Sequence, residues 1–482
     1  MQCARSFSEL RAFWSRALRR SPLPAPRRFF VARPRQTALE IDHPIEEEIM
    51  SGKRLQYYYP ARPGEVLDDR FRTVTKLGYG SSSTVWLAEN LERKKSPVLP
   101  RYVSIKITAA DETDGEAQTL RVISGASTSL DASCLFNLPI DEFQLQGPEG
   151  THHCLVFQPL RETILETRSR LPGQRLPPLF AKYLTWTMLL ALDYLHTRCG
   201  IIHTGLTEAN IMMTIESDAL LSQFAQFHRR NPPPRHVRPD GRATYVSQSD
   251  FGPLRIRGAE STCRPKLVDL AEARRKDAPD AGFLDPIQAH AYRAPEVLLG
   301  CGWTEKVDIW NLGVLMWQWL EGIDLFPRIL DEQGRYDAHV HLAEMVSVLG
   351  APPEELVSLE RHYRDGPVVG PATNERGKTY LTMNEYWGGP FFDDDGQILR
   401  KDLITPRNLA DTIKVLSGDE KEEFLDFASG MLEWYHPKRK TASELLRHPI
   451  FDDIYRSEAG TEEEGEGGAS GKRQRPGGRI HV

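Results

Sequence analysis

A glycine turn between two short apolar runs is the first pattern in the chain that could do chemistry. Gly78-Tyr79-Gly80 joins residues 73–77 to residues 83–88, and both runs are rich in β-forming side chains. Such a pair predicts a hairpin, in which glycine lets backbone N–H groups approach a phosphate without an obstructing Cβ. Ser83 occupies the third glycine position of a G-x-G-x-x-G pattern, so the turn alone also fits an ordinary hairpin. No helical pattern follows, which disfavours a dinucleotide-binding fold.

A lysine in the next apolar run strengthens the phosphate interpretation. Lys106 lies within residues 103–107, 28 residues after Gly78. In an isolated strand it would point to solvent. After a glycine hairpin it matches the lysine that holds the α- and β-phosphates of a nucleotide. A carboxylate must orient it, and Glu116, which opens a helical run over 116–123, is the first candidate, with Glu112 the second.

Residues 201–212 align without gaps to H-R-D-L-x-x-x-N, the catalytic loop of protein kinases. Three residues match in type, namely His203, Leu206 and Asn210. Gly205 occupies the aspartate position and Thr207 the position of the usual lysine. That aspartate accepts the proton of the substrate hydroxyl, and glycine cannot do so. Losing a general base costs roughly 10²–10⁴ in rate. Glu208 follows three residues later and should face elsewhere, so we do not expect it to substitute.

Two aspartates could bind magnesium. Asp250-Phe251-Gly252 spells the metal-binding triplet literally but lies in a polar stretch, whereas Asp269 follows the apolar run 266–268. Glu296, in an Ala-Pro-Glu motif, lies 27 residues after Asp269 and 46 residues after Asp250, and the second distance is long for an activation segment. We therefore prefer Asp269, and Ala271 then stands where the triplet has glycine.

Further residues that match kinase motifs are predicted to have structural roles. Glu296 is expected to pair with Arg439, and Asp308 to accept hydrogen bonds from the catalytic-loop backbone. Residues 270–295 contain no serine or threonine, and Thr204 replaces the arginine that would bind a phosphorylated loop. Switching by phosphorylation of this loop is therefore not expected.

The elements that must position these residues follow an α+β order. Strand-like runs come first, and apolar residues at helical spacing then fill 180–197 and 309–320. We expect a domain over 71–451, with a small β-rich N-lobe (71–158) and a larger, mainly helical C-lobe (159–451). The polar, proline-containing stretch at about 216–264 predicts a loop insertion, and the Glu/Gly-rich tail at 457–482 predicts disorder.

Across about residues 55–455 the chain resembles the SR-protein kinase family, in its fungal-type branch. The resemblance rests on these stretches: 59–64 (Tyr-Pro-Ala-Arg-Pro-Gly), 77–87, 203–204, 249–254, 287–288, 292–296 and 308–313. It implies a bilobal protein-kinase fold, ATP and magnesium as cofactors, and arginine/serine-rich protein substrates. The implied metal ligands are Asn210 and Asp269. The implied nucleotide contacts are Leu77, Gly78, Tyr79, Gly80, Ser81, Val85, Lys106, Glu116 and Phe157, the last as gatekeeper before the hinge 158–160.

The departures from the family pattern lie on the phosphoryl-accepting side. They are Gly205, Thr207, Ala271 and Ala289-His290, the last in place of a small hydroxyl residue and arginine. The favoured interpretation is a protein kinase fold that binds MgATP but transfers phosphoryl groups poorly. An active or weakly active serine/threonine kinase is the alternative, and an interaction scaffold that binds no nucleotide is the second alternative.

Bulk composition excludes several other classes. The net charge of -6 gives no general attraction to nucleic acid or anionic membrane, and no apolar stretch reaches the length of a membrane span. Six scattered cysteines without a C-x-x-C pair predict reduced thiols inside a cell rather than disulfides or a zinc site.

The first 45 residues form a basic arm, with nine arginines and one acid before Glu40. Phe7 to Leu18 could form an amphipathic helix, and an arginine-rich, acid-poor profile of this kind is typical of a mitochondrial transit peptide. A disordered basic arm is an equal alternative. The first implies a mitochondrial protein, and the second a cytoplasmic or nuclear one.

Overall fold

An antiparallel sheet of six strands fills the first part of the molecule. The computed structural model describes residues 38–92, 99–126, 131–252, 263–276, 283–366, 372–374 and 377–454. A short strand, β1 (Glu40–Ile41), and a short helix, α1 (Glu47–Ser51), precede the sheet. The sheet strands are β2 (Val66–Leu67), β3 (Phe71–Tyr79), β4 (Ser83–Asn90), β5 (Tyr102–Thr108), β6 (Asp141–Gly147) and β7 (Gly150–Phe157). Their spatial order is β2-β3-β4-β5-β7-β6.

One helix packs with this sheet and faces the second part of the molecule. Helix α2 (Gly115–Gly125) follows β5 and buries Ala117, Leu120 and Ile123 at helical spacing. Glu116 lies in its first turn, where the helix dipole favours a negative charge. The hairpin of β3 and β4 pairs Gly78 with Val85, so the glycine turn lies at the hairpin tip, as predicted.

Helices dominate the second part. They are α3 (Ile164–Ser169), α4 (Pro178–Asp193), α5 (Asp218–Arg230), α6 (Pro295–Leu298), α7 (Lys306–Glu321), α8 (Ala338–Leu349), α9 (Glu354–Tyr363), α10 (Met383–Trp387), α11 (Gly418–Ser429) and α12 (Ala442–Leu445). Helix α7 buries every residue from Val307 to Glu321, and it packs against α4 at the centre of the core. Both apolar runs that the sequence predicts as helices are therefore confirmed.

Short strands connect these helices. They are β8 (Leu160–Thr163), β9 (Ile201–Ile202), β10 (Ile211–Thr214), β11 (Arg235–Val237), β12 (Ala243–Tyr245), β13 (Pro265–Leu267), β14 (Arg274–Arg275), β15 (Ala372–Thr373) and β16 (Thr379–Tyr380). Strand β10 pairs with both β8 and β13, and β9 pairs with β14. These pairs fix both ends of residues 203–210 and the start of the segment after Leu267.

The insertion at about 216–264 is not the loop that its polar composition predicts. Helix α5 is capped by Ser217 and buries Leu221, Phe224 and Ala225 on one face. Strands β11 and β12 follow it, and β11 pairs in parallel with β1. The average composition concealed the amphipathic pattern, because the outward face of α5 is polar and prolines flank the strands.

A buried lysine joins the insertion to the sheet and to the segment that precedes it. The side chain of Lys76, in β3, is fully buried. Its Nζ donates to Glu46 Oε2 at 2.7 Å, to Glu47 Oε2, and to the Tyr245 carbonyl at 3.1 Å. Glu46 also accepts hydrogen bonds from the backbone and hydroxyl of Ser247. Three segments that are distant in the sequence therefore meet at one ammonium group.

Nothing in the described part of the chain forms a helix long and apolar enough to cross a membrane. The five cysteines of these residues are free thiols. Most of the predicted basic arm (1–45) and all of the predicted tail (457–482) lie outside the described residues, so both remain predictions.

We predict that Lys76→Met lowers the free energy of unfolding by about 3 kcal/mol, because it leaves two carboxylates buried without their cation. Urea denaturation monitored by tryptophan fluorescence measures the change. The matched control is Lys438→Met, because Lys438 pairs with Glu355 at the surface, and this variant should cost no more than about 0.5 kcal/mol. Equal losses in the two variants would contradict a stabilising role for the Lys76 cluster.

Candidate active site

Lys106 lies in the middle of β5, with Val85 and Leu155 as its partners on the neighbouring strands. Its Nζ lies 2.6 Å from Glu116 Oε2 and 3.3 Å from Asp269 Oδ1. Burial disfavours the charged amine, but the two carboxylates outweigh burial and raise the pKa of Lys106 above its ordinary value. The two carboxylates therefore keep the Lys106 amine protonated beside the glycine hairpin. A protonated amine is what binding a phosphate group requires.

The structure distinguishes the two glutamates that the sequence left open. Glu116 contacts Lys106, whereas Glu112 Oε1 accepts a hydrogen bond from Arg54 Nη2 at 2.5 Å. Arg54 also pairs with Asp111, so it binds two adjacent acids before α2. Glu112 is therefore part of a surface ion-pair network.

The structure also distinguishes the two aspartates. Asp269 follows β13 and lies beside Lys106, which is the main cause that lowers the pKa of Asp269 below its ordinary value. Its φ of +61° is a left-handed conformation that is rare outside glycine. Asp250 pairs instead with Arg170, and Phe251 stacks on Phe224 of α5 with ring centroids 4.1 Å apart. The Asp-Phe-Gly triplet thus packs onto α5 and the neighbouring Arg170, away from Lys106.

A single buried carboxylate shapes the catalytic loop. Asp308 Oδ2 accepts hydrogen bonds from the His203 N–H at 2.8 Å and from His196 Nε2 at 2.8 Å, and Oδ1 accepts from the Thr204 N–H at 2.9 Å. The Thr204 hydroxyl donates to the Glu272 carbonyl at 2.8 Å. The predicted bond from Asp308 to the loop backbone is confirmed. The predicted pair of Glu296 and Arg439 is also confirmed, with Nη1–Oε1 at 2.7 Å.

Gly205 leaves an open space where a kinase has its aspartate. A Cβ built at Gly205 would meet nothing closer than His203 Nδ1, at 4.0 Å. Its N–H donates to that nitrogen, and its carbonyl accepts a hydrogen bond from Asn210 Nδ2 at 2.8 Å. The backbone conformation therefore does not require glycine here, and the Asn210 amide oxygen has no hydrogen bond within the described ranges.

The nearest acid in the sequence cannot replace the missing aspartate. Glu208 is buried, and both of its carboxylate oxygens accept hydrogen bonds from Arg168, at 2.7 and 2.8 Å. A bidentate pair of this kind fixes the carboxylate in place. Sequence reasoning missed Arg168, because no local pattern links α3 to residue 208, 40 residues later.

The glycine hairpin and the hinge complete the expected nucleotide side. The Gly80 N–H donates to the Ser83 carbonyl at 2.9 Å, and the Tyr58 hydroxyl donates to the Gly80 carbonyl at 2.9 Å. Tyr79 and Ser81 are exposed, whereas the other predicted contacts of the hairpin are half-buried, namely Leu77, Gly78, Gly80 and Val85. Phe157 ends β7 and is buried next to the exposed Gln158 of the predicted hinge.

Comparison with known proteins agrees with this architecture. Residues 256–451 match the family model for the protein kinase domain. A serine/threonine protein kinase of Aspergillus fumigatus is 33% identical over 406 residues, which cover 84% of this chain and 90% of that protein. The chain belongs to the serine/threonine protein kinases of the SR-protein kinase-like type.

Further relatives and a solved structure extend the agreement. The serine/threonine-protein kinase SRPK of Physarum polycephalum is 29% identical over 409 residues, covering 82% of this chain and 89% of that one. Protein kinase dsk1 of Schizosaccharomyces pombe is 26% identical over 484 residues, covering 82% and 83%. A crystallised kinase domain superposes with a TM-score of 0.53 at 19% identity, covering 82% of this chain and 99% of that one. The predicted bilobal α+β kinase fold is confirmed.

In this SR-protein kinase-like chain, a cavity of about 480 Å³ opens beside the Lys106 ammonium. Its lining includes Ser82 of the hairpin, Glu116 of α2, His153 of β7 and Ala271 after Asp269. Glu112 and Asp114 also line it, and of the predicted nucleotide contacts only Lys106 and Glu116 do so.

The segment before the Ala-Pro-Glu motif of this SR-protein kinase-like chain packs into an aromatic cluster that sequence reasoning did not identify. The Arg293 guanidinium lies 4.1 Å from the Trp387 ring centroid, and its Nη1 bonds His290 Nδ1 at 2.7 Å. The His290 ring stacks on Tyr336 at 3.9 Å, and the Tyr336 hydroxyl bonds His341 Nδ1 at 3.1 Å. His290, one of the departures from the family pattern, therefore packs between Arg293 and Tyr336 in this cluster.

His341 gives this cluster a defined pH dependence. Burial lowers its pKa to about 3, well below the roughly 6.5 of an unfolded histidine. Between these values the unfolded chain binds a proton that the native state excludes, so acid destabilises the fold. We expect the parent to lose about 2 kcal/mol more than His341→Phe between pH 7 and pH 5, as measured by urea denaturation.

The matched control is His362→Phe, because His362 is exposed. This variant should show the same acid loss as the parent. An identical pH profile for the parent and His341→Phe would contradict the assignment.

Proposed function

We propose that this chain binds MgATP between its lobes but transfers phosphoryl groups poorly, so that it acts mainly as a nucleotide-dependent pseudokinase. The observation that carries the proposal is an intact Lys106–Glu116–Asp269 cluster beside a catalytic loop without a free carboxylate. The charged residues that would bind the phosphates are therefore present, whereas the carboxylate that would activate a substrate hydroxyl is missing.

The residues present fit a nucleotide with its metal. Lys106 supplies a buried positive charge, Asp269 an ionised carboxylate, and Asn210 a free amide oxygen. The described residues contain no group of three or more His, Cys, Asp or Glu side chains arranged to bind a metal on their own. Magnesium at this site would complete its coordination with phosphate oxygens and water, as is usual for this ion.

The acceptor side supports impaired transfer. Nothing at position 205 can receive the hydroxyl proton, and Glu208 is bound by Arg168. Thr207 supplies no positive charge to the transferring group. A missing general base costs about 3–5 kcal/mol of barrier, which corresponds to roughly 10²–10⁴ in rate.

A weakly active serine/threonine kinase is the second candidate. Phosphoryl transfer depends mainly on positioning and metal electrostatics, and the residues for both are present. Because the chain is related to SR-protein kinases, an arginine/serine-rich protein is the first substrate or partner to test. A scaffold without nucleotide is disfavoured, since it would not need the charged cluster around Lys106.

We predict that MgATP at about 100 times its Kd raises the melting temperature by roughly 3 °C. Lys106→Ala and Asp269→Ala should abolish the rise, because each removes a charge that faces the phosphates or the metal. Asp250→Ala is the matched control for the second aspartate and should retain the full shift. Differential scanning fluorimetry measures all four proteins, and the absence of a shift in the parent would favour the scaffold.

We also predict that Gly205→Asp combined with Thr207→Lys raises phosphotransfer to an arginine/serine peptide by about 10²-fold or more. A Cβ added at position 205 would meet no atom closer than 4.0 Å, so the new residue can attach without displacing backbone. Incorporation of labelled phosphate measures the rate.

The matched control is Gly205→Asn combined with Thr207→Lys, which fills the same space without a base and should leave the rate near that of the parent. A parent that already turns over like an ordinary kinase would refute the pseudokinase proposal, while leaving the MgATP site intact.

A further inference from the structure

A second cavity lies in the C-lobe, away from the residues around Lys106. It contains about 540 Å³ of empty space, measured out to its open mouth. Apolar side chains line it from the first half of α4, the end of α7, the helix α11 with the residues just before it, and the turn at Pro449–Phe451. Among them are Ala181, Met316, Leu320, Leu416, Phe424 and Phe451. Its location is remote from the catalytic loop, because that loop follows the other end of α4 and is held by Asp308 at the start of α7.

The mouth of the cavity carries uncompensated negative charge. Glu420 and Glu423 of α11 both line it, and neither forms an ion pair with any residue that the structure describes. Lys182, the basic residue of the lining, is neutralised by Asp453 at 2.9 Å. An apolar interior with an acidic mouth fits a ligand that has an apolar end next to positive charges.

The chain itself supplies such a segment close to the cavity. The described residues end at Ile454, three residues after Phe451 of the lining, and the Lys182–Asp453 pair holds this end at the mouth. Residues 455–482 follow, and the run 472–482 (Lys-Arg-Gln-Arg-Pro-Gly-Gly-Arg-Ile-His-Val) contains four Lys or Arg residues and two apolar residues, Ile480 and Val482, on either side of His481. The acidic run 461–466 would be repelled by the mouth.

Geometry permits this run to return to the cavity. Seventeen residues lie between Ile454 and Lys472, and an extended chain of that length spans up to about 60 Å. Tethering also raises the local concentration of the segment, so modest contacts suffice for binding. We propose that residues 472–482 bind in this C-lobe cavity, with Ile480 and Val482 in the apolar interior and the basic side chains at Glu420 and Glu423.

The test uses the full chain with the photo-crosslinking amino acid benzoylphenylalanine in place of Ile480. After irradiation, mass spectrometry should map crosslinks within one molecule to residues 178–185, 416–427 or 450–451. Glu420→Lys with Glu423→Lys should reduce their yield by about tenfold, because two attractive charges become repulsive. Glu422→Lys is the matched control, since Glu422 belongs to the same helix but does not line the cavity, and it should leave the yield unchanged.

Three outcomes would overturn the proposal. Crosslinks scattered over other surfaces, or a yield insensitive to the double reversal, would show that residue 480 does not bind in this cavity. Crosslinks found only in a covalent dimer would assign the cavity to a neighbouring copy. Crosslinks to the cavity from benzoylphenylalanine in place of Trp14, but not from position 480, would assign it to the basic arm.

Discussion

The ammonium of Lys106 connects three parts of the chain that the sequence keeps far apart. It projects from the central strand of the sheet, and it meets Glu116 from α2 and Asp269 from the segment after β13. A buried charge must be compensated, and only two carboxylates arriving from different elements do so here. The sheet therefore supplies the buried charge, and the helix and the C-lobe segment each supply a carboxylate that compensates it. A cavity opens beside this charge, lined by residues of the sheet and of α2.

The catalytic loop shows how a kinase site can retain its framework without its base. Asp308 binds the loop backbone at His203 and Thr204, and Asn210 closes the loop onto the carbonyl of Gly205. None of these bonds uses a side chain at position 205, so its loss leaves the loop conformation supported. The residues that support the loop differ from the residue that would act as the base. The nucleotide-binding residues can therefore be retained while the residues that face the phosphoryl acceptor change.

Two fully buried cations attach the insertion to the rest of the fold. Arg161 in β8 binds Glu216 at its beginning and the Gly252 carbonyl in its second half, while Lys76 in β3 binds the Tyr245 carbonyl. The insertion therefore leaves the C-lobe, packs on the glycine-hairpin strand and returns, so that it contacts both lobes. Removing either cation would leave carboxylates buried without a partner, which is costly. This constraint favours a fixed relation between the hairpin and the hinge.

The sequence by itself determined which residues occupy the motif positions of the candidate site. Lys106, Gly205, Asn210 and the preference for Asp269 follow from short motifs and from the spacing between them along the chain. Tertiary structure decided between Glu116 and Glu112, bound Glu208 to Arg168, and turned the polar insertion into a packed helix. The physical reason is that an ion pair or a buried helical face depends on which distant residue it meets. The spacing of residues in a short motif does not predict such a contact, because the partners come together only when the whole chain is folded.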